Sequence, residues 1–204
     1  MRKSNYDKQP STHIEGNIIT GWDSIVETLS KVWADEPVWA IDLYPGTYEE
    51  DFIEAFAKTG RKIINTRSLM RPEDEIRQLT ERFMTDDVLF GYMSNIRLHE
   101  YFDNSKLINS KFKIEEPCVI IGTGAAFVAE KLSTLNFQLS TIVYADMARW
   151  EIQQRFRRHE VKALGIDNHE DSPSVQYKRG YFNDWNIIDR YKDELMQSGC
   201  IQFW

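Results

Sequence analysis

Val38-Trp39-Ala40-Ile41-Asp42-Leu43-Tyr44-Pro45-Gly46-Thr47-Tyr48-Glu49-Glu50-Asp51-Phe52 reads as a buried strand, a tight Pro-Gly turn and the opening of a helix. That is the layout of a phosphate-binding loop, where free backbone N–H groups and the positive end of the helix dipole meet an anion. A working loop of this kind offers Gly-Lys-Ser or Gly-Lys-Thr. This chain offers Tyr48 and then the carboxylates of Glu49, Glu50 and Asp51, which satisfy the dipole themselves and repel a triphosphate. The same carboxylates also have a plain structural reading, since acidic residues in a first helical turn contribute about 0.3–1 kcal/mol each. Tyr48, Phe52 and Phe56 recur at i, i+4 and i+8 with Ile53 alongside, which gives the helix a core-facing stripe.

Working outward, a helix opens after Gly21 with Ile25, Leu29 and Val32 on one face, and Pro37 stops it. The helix from Tyr48 to Lys58 ends at Gly60, and Lys62–Asn65 reads as a strand. Pro72 starts a helix with acids in its first turn and Ile76, Leu79 and Phe83 on its inner face. Asp86–Gly91 breaks the pattern before a helical stretch over Met93–Phe102, and a polar loop with a short helix covers Asn104–Glu116. Cys118–Ile121 is a strand, Ala125–Leu132 a helix and Thr141–Ala145 a strand. A long helix over Arg149–Ala163 follows, then a loop over Gly165–Ser174 and a last helix over Asp184–Met196. Strands alternating with helices imply a three-layer α/β/α sandwich with a mostly parallel sheet. Residues 1–20 read as an N-terminal arm, polar through Thr12 and extended around Ile14–Ile19, and residues 21–204 as one α/β domain. Ile201–Trp204 looks like the start of a further strand, as in a domain cut from something longer.

The balance of 25 basic against 32 acidic residues gives −7, so nothing in the overall charge attracts nucleic acid or anionic membranes. No apolar run is long enough to span a bilayer and no signal peptide is visible, so the expected location is the cytoplasm. Cys118 sits in an apolar strand and reads as a small buried hydrophobe. With Cys200 far away, neither a disulfide framework nor a zinc site is indicated.

In open α/β sheets ligands sit beyond the carboxyl ends of the strands, and three such ends carry suggestive residues. Pro45, Gly46 and Thr47 follow the first strand. Gly122, Thr123 and Gly124 follow Cys118–Ile121, where small residues admit a ligand to the backbone or simply make a tight turn. Asp146 is followed by Arg149, Arg155, Arg157 and Arg158, whose guanidinium forks suit phosphate. The alternative is a solvated helix with Glu151–Arg155 pairing at i, i+4. Arg149, at the helix start, is the nearest of the four to a strand end. Asp167, His169, Glu170 and Asp171 have the wrong spacing for zinc, so a polar loop is expected, with no metal and no cofactor.

Over most of the chain these segments resemble the uridine-kinase-like branch of P-loop kinases, with Val38–Thr47 at the phosphate loop and Asp146 with its arginines at the lid helix. The departures are a missing loop lysine, no hydroxyl after it, and Gly122-Thr123-Gly124 where an acidic residue belongs; without these, phosphoryl transfer loses most of its machinery. A closer resemblance is to the N-terminal kinase-like domain of a bacterial group of class I mannose-6-phosphate isomerase-like proteins. It is carried by Met1–Lys8, Tyr44–Gly46, Thr85–Gly91, Tyr144–Gln153 and Arg179–Trp185. In that family a cupin domain holds the zinc-dependent isomerase site, which this chain lacks. The resemblance implies a non-catalytic, degenerate kinase-like domain in sugar-phosphate metabolism that binds a phosphorylated ligand or a partner domain such as the cupin. The alternatives are a phosphotransferase with Asp86 or Asp87 as base, and a purely structural scaffold.

Overall fold

The computed structural model describes residues 11, 13, 15–109, 116–132 and 142–204. Most of the expected arm, and Thr141, lie outside them. The chain is a mixed α/β fold built on one five-stranded sheet in the order β2-β3-β1-β4-β5, every neighbour pair parallel. The strands are β1 Val38–Leu43, β2 Lys62–Asn65, β3 Cys118–Gly122, β4 Ile142–Ala145 and β5 Ile201–Phe203. The helices in chain order are α1 Trp22–Val32, α2 Glu49–Ala57, α3 Glu73–Met84, α4 Asn104–Ile108, α5 Ala125–Leu132, α6 Arg149–Arg157, α7 Pro173–Arg179 and α8 Trp185–Ser198.

Strand side chains alternate between faces, and that period divides the core into two. Trp39, Ile41, Leu43, Val119 and Ile121 pack with Leu29 and Trp33 at the α1 end and with Ala55 and Phe56 of α2. Val38, Ala40, Cys118, Ile120, Ile142 and Tyr144 pack on the other face with α5, α6 and α8. Both faces of β1 and β3 are buried throughout, the pattern of a parallel sheet covered by helices on both sides. On α1 the apolar face turns further round than the Ile25–Leu29–Val32 spacing implies: Val32 is 57% exposed and Trp33 takes its place in the core. Cys118 is the buried hydrophobe expected of it, and burial pushes its thiol up to about 11.

Three helix boundaries depart from the sequence expectation, each for a local reason. α6 stops at Arg157 rather than running to Ala163, because His159 enters the left-handed region at φ 54. The His159 N–H then donates to the Phe156 carbonyl and the Glu160 N–H to the Arg155 carbonyl, a Schellman closure. The stretch over Met93–Phe102 is helical only as a 3-10 turn, Leu98–Tyr101. Ahead of it the carbonyls of Ser94 and Ile96 are taken by the Arg190 guanidinium at 2.9 and 2.6 Å, so they serve a side chain rather than a helix ladder. The last helix begins earlier than Asp184. α7 opens at Pro173, runs into a π turn over Gly180–Asp184, and that turn joins α8 without a break.

Candidate functional site

β1 is the middle strand, with β3 on one side and β4 on the other, so the turns after all three stand next to each other at one rim. From β1 the chain crosses to β2 on one flank, and from β4 it crosses to β5 on the other. Such a change of direction opens a crevice at the carboxyl ends of the strands. A cavity of about 180 Å³ lies there, lined by the loop after β1, the head of α2, Thr66, Arg67, Thr123 and the Glu160–Gly165 segment.

The loop Tyr44–Tyr48 is held from α6. Gly46 has φ 96, and a Cβ on it would stand 2.8 Å from the Ile152 side chain, so glycine is required both by the backbone and by the approach of α6. Arg155 donates from Nη1 to the Gly46 carbonyl at 2.7 Å, and its guanidinium lies 3.7 Å from the centre of the Tyr48 ring. The Tyr48 hydroxyl donates to Glu160 at 2.6 Å, and Arg158 donates to the other oxygen of that carboxylate at 2.8 Å. Tyr48 is the N-cap of α2 in an extended conformation, and its side chain makes no cap bond to that helix.

Below the loop, Asn65 Nδ2 donates to Glu49 at 2.6 Å. Burial holds the Glu49 carboxyl above the usual range, against the Asn65 bond, which favours the ion. At the end of β3, Gly122 has φ 125, and a Cβ there would stand 2.2 Å from Thr66 Oγ1 and 3.4 Å from Glu49. The Thr66 hydroxyl is buried and has no hydrogen-bond partner among the described residues. The cations on the cavity wall are Arg67 and Lys162. Lys162 shares its ammonium with Asp167 at 3.0 Å. Arg67 uses its backbone N–H on Asn65, and its guanidinium makes no hydrogen bond among the described residues.

The turn after β3 is committed inward. Asp42, buried in β1, accepts from the N–H groups of Gly124 and Ala126 at 2.9 Å each and from the Tyr191 hydroxyl at 2.7 Å. A carboxylate of the protein therefore sits at the head of α5, where a ligand anion would have to bind. Thr123 Oγ1 donates to the Leu43 carbonyl at 2.7 Å. Of the three turn residues only Thr123 reaches the cavity wall. Burial pushes the Asp42 carboxyl up to about 6, opposed by its three donors.

Of the residues singled out in the sequence, Pro45, Gly46, Thr47 and Thr123 line the cavity, and the four arginines do not. Arg149 pairs with Asp189, which also accepts from the Tyr44 hydroxyl at 2.8 Å. Arg155 is the loop brace, and Arg158 bridges Glu151 and Glu160. Arg157 touches Gln154 at 3.4 Å and lies over the exposed Trp150 ring. Asp86 and Asp87 lie after α3, away from the cavity wall. Asp87 Oδ1 accepts from the N–H groups of Leu89 and Phe90 at 2.7 Å each, the work of a turn cap. His169 bonds Asp167 at 2.7 Å and approaches Glu170 at 3.0 Å, and among the described residues no three His, Cys, Asp or Glu side chains are placed to hold a metal. Arg67 and Lys162 escaped the sequence reading. Arg67 stands two residues past the β2 end and had a positional signal, whereas Lys162 reaches the rim only because α6 stops early.

No curated protein and no solved structure matches the chain. The family described as "Domain of unknown function (DUF8485)" matches it over residues 21–203, nearly its whole length, and the chain belongs to that family.

Proposed function

We propose that this domain binds the phosphate group of a small phosphorylated molecule at the head of α2 and does not transfer it. The observation that carries the reading is the cavity itself. Its wall includes the head of α2, whose N-cap side chain makes no cap bond, Arg67 and Lys162, and Thr66, whose hydroxyl has no partner among the described residues. Backbone N–H groups at a helix head with a cation beside them are the ordinary means of holding phosphate. At about 180 Å³ the space is below the roughly 300–1,000 Å³ of pockets that enclose larger ligands, so it suits a phosphate head group. Glu49, Glu50 and Glu160 stand on the same wall and disfavour the dense charge of a triphosphate. With Tyr48 and Glu49 where lysine and a hydroxyl would serve transfer, binding is better supported than catalysis.

A sugar phosphate is the class suggested by the resemblance to the kinase-like domain of mannose-6-phosphate isomerase-like proteins. Calorimetric titration with phosphate, mannose 6-phosphate and Mg-ATP tests the reading. Binding of the monoester without Mg-ATP is expected. Arg67→Ala should weaken it by about 1.5–3 kcal/mol, the scale of a lost charge-assisted bond, while Arg157→Ala leaves it unchanged. Tight Mg-ATP binding, or equal affinity in Arg67→Ala, would contradict it. Glu49, on the cavity wall and held by Asn65 at 2.6 Å, supports a second reading, a transferase using Glu49 as base, for which ATP turnover lost in Glu49→Gln would be the sign.

A further inference from the structure

The loop between α3 and the Leu98–Tyr101 turn exposes an apolar run that the cavity does not use. Val88, Leu89, Phe90, Tyr92 and Met93 are each between 55% and 73% exposed. The loop is nonetheless firmly built. Asp87 Oδ1 accepts from two of its N–H groups, and the Thr85 hydroxyl donates to the Phe90 carbonyl at 2.6 Å. The buried Lys178 of α7 donates to the carbonyls of Asp87 at 2.5 Å and Thr85 at 3.3 Å. The Tyr92 N–H closes the loop on the Phe83 carbonyl at 2.8 Å, and Gly91 lies where a Cβ would meet that same carbonyl at 2.4 Å. Burying one ammonium to fix the backbone of an exposed hydrophobic loop presents those side chains in one arrangement, which lowers the ordering cost of docking.

The run continues onto a cleft. Leu89 shares a hollow of about 400 Å³ with Phe156, Pro173 and Tyr177. Tyr177 stacks on Tyr181 at 6.0 Å, Tyr181 meets Phe182 at 5.0 Å, and the Phe182 ring lies about one contact distance from Gly91. The five loop side chains with Tyr177 and Tyr181 offer roughly 700–800 Å² of exposed area, taking aromatics at about 150–250 Å² each. With the tyrosine hydroxyls and backbone included in that figure, it is comparable to the roughly 800 Å² that one partner contributes to a standard interface.

We propose that this surface is the contact between two copies of the chain, related by a two-fold axis. Leu89 lines the hollow with Phe156 and Tyr177, and its chain neighbours Val88 and Phe90 are exposed, so each copy has apolar side chains to give and a hollow to receive them, as an isologous contact requires. The charges at its edge are self-complementary as well. Asp86 and Arg157, one of each sign, have no ion pair among the described residues. In a two-fold contact each can meet the other's counterpart.

Sedimentation analysis of the full chain over micromolar to submillimolar concentrations tests this. A monomer–dimer equilibrium is expected, with Phe90→Glu raising the dissociation constant at least about tenfold, while circular dichroism, and the melting temperature at a concentration where both chains are monomeric, stay as in the parent. Asp86→Arg and Arg157→Glu should each weaken the dimer, and the double exchange should restore it, a rescue that simple surface disruption does not give. A mass of one chain at every concentration overturns the proposal and leaves the surface to a different macromolecule. So does a dimer that tolerates Phe90→Glu, and the absence of rescue in the double variant overturns the two-fold pairing.

Discussion

At the scale of single residues, Asp42 shows how far a strand residue's work can lie from its sequence neighbours. In the chain it is one polar letter inside an apolar run; in the fold it joins β1 to the head of α5 and to Tyr191 of α8, all on buried hydrogen bonds. Nothing local signals this, because its partners lie 82, 84 and 149 residues away. The same bond removes Gly124 from the candidate site, although a glycine pair after a strand reads naturally as a ligand turn. Asp42 also sets a pH dependence. Burial raises its carboxyl from the ordinary value of 3.8 to about 6 in the folded chain. Its contribution is therefore fully present below pH ~4 and lost as pH rises through about 6, to a total of about 3 kcal/mol. In urea unfolding at pH 4 and pH 7, the stability of the parent relative to Asp42→Asn should fall by that order as pH rises. A difference that is constant with pH would show that the folded-state value of Asp42 is not raised above its unfolded one.

At the scale of elements, the strands and the helices α2, α3 and α5 were legible because their apolar spacing and their punctuation agree: Gly60, Pro37 and Pro72 stand where the chain turns. α6 was not, because the residue that ends it in a left-handed conformation is His159 and no glycine marks the stop. That early stop carries functional weight. It frees Glu160–Gly165 to form one wall of the cavity, and so brings Lys162 to the rim. The arginines of α6 were legible as a group and not as individuals. Ile152 and Phe156 face the core, so Arg155 lies inward and braces Gly46, while Arg157 faces solvent. Arg155→Ala removes a hydrogen bond to a carbonyl and a cation–π contact, with an expected loss of about 1–3 kcal/mol in stability. Hydrogen exchange at Thr47 and Tyr48 should quicken along with it. Arg157→Ala should stay within about 0.5 kcal/mol of the parent. Equal effects from the two would mean that Arg155 does not hold the loop.

At the scale of the whole molecule, one parallel sheet with helices on both faces follows from the alternation of apolar strands with amphipathic helices. What the sequence does not disclose is the order of the strands, and the order makes the site. With β1 between β3 and β4, three turns that are far apart in the chain share one rim. Two of those turns are then closed by the protein's own groups, Asp42 at α5 and Asp189 on Arg149, which leaves the head of α2 as the open place. The most direct measurement is a titration of ¹⁵N-labelled chain with mannose 6-phosphate, followed through its backbone amide resonances. The expected result is saturable shifts at Thr47, Tyr48, Glu49, Glu50 and Arg67, with Gly124 and Ala126 unmoved because Asp42 holds them. Shifts centred on Gly124, Ala126 or Arg149, or no saturable shift at the head of α2, would contradict the account.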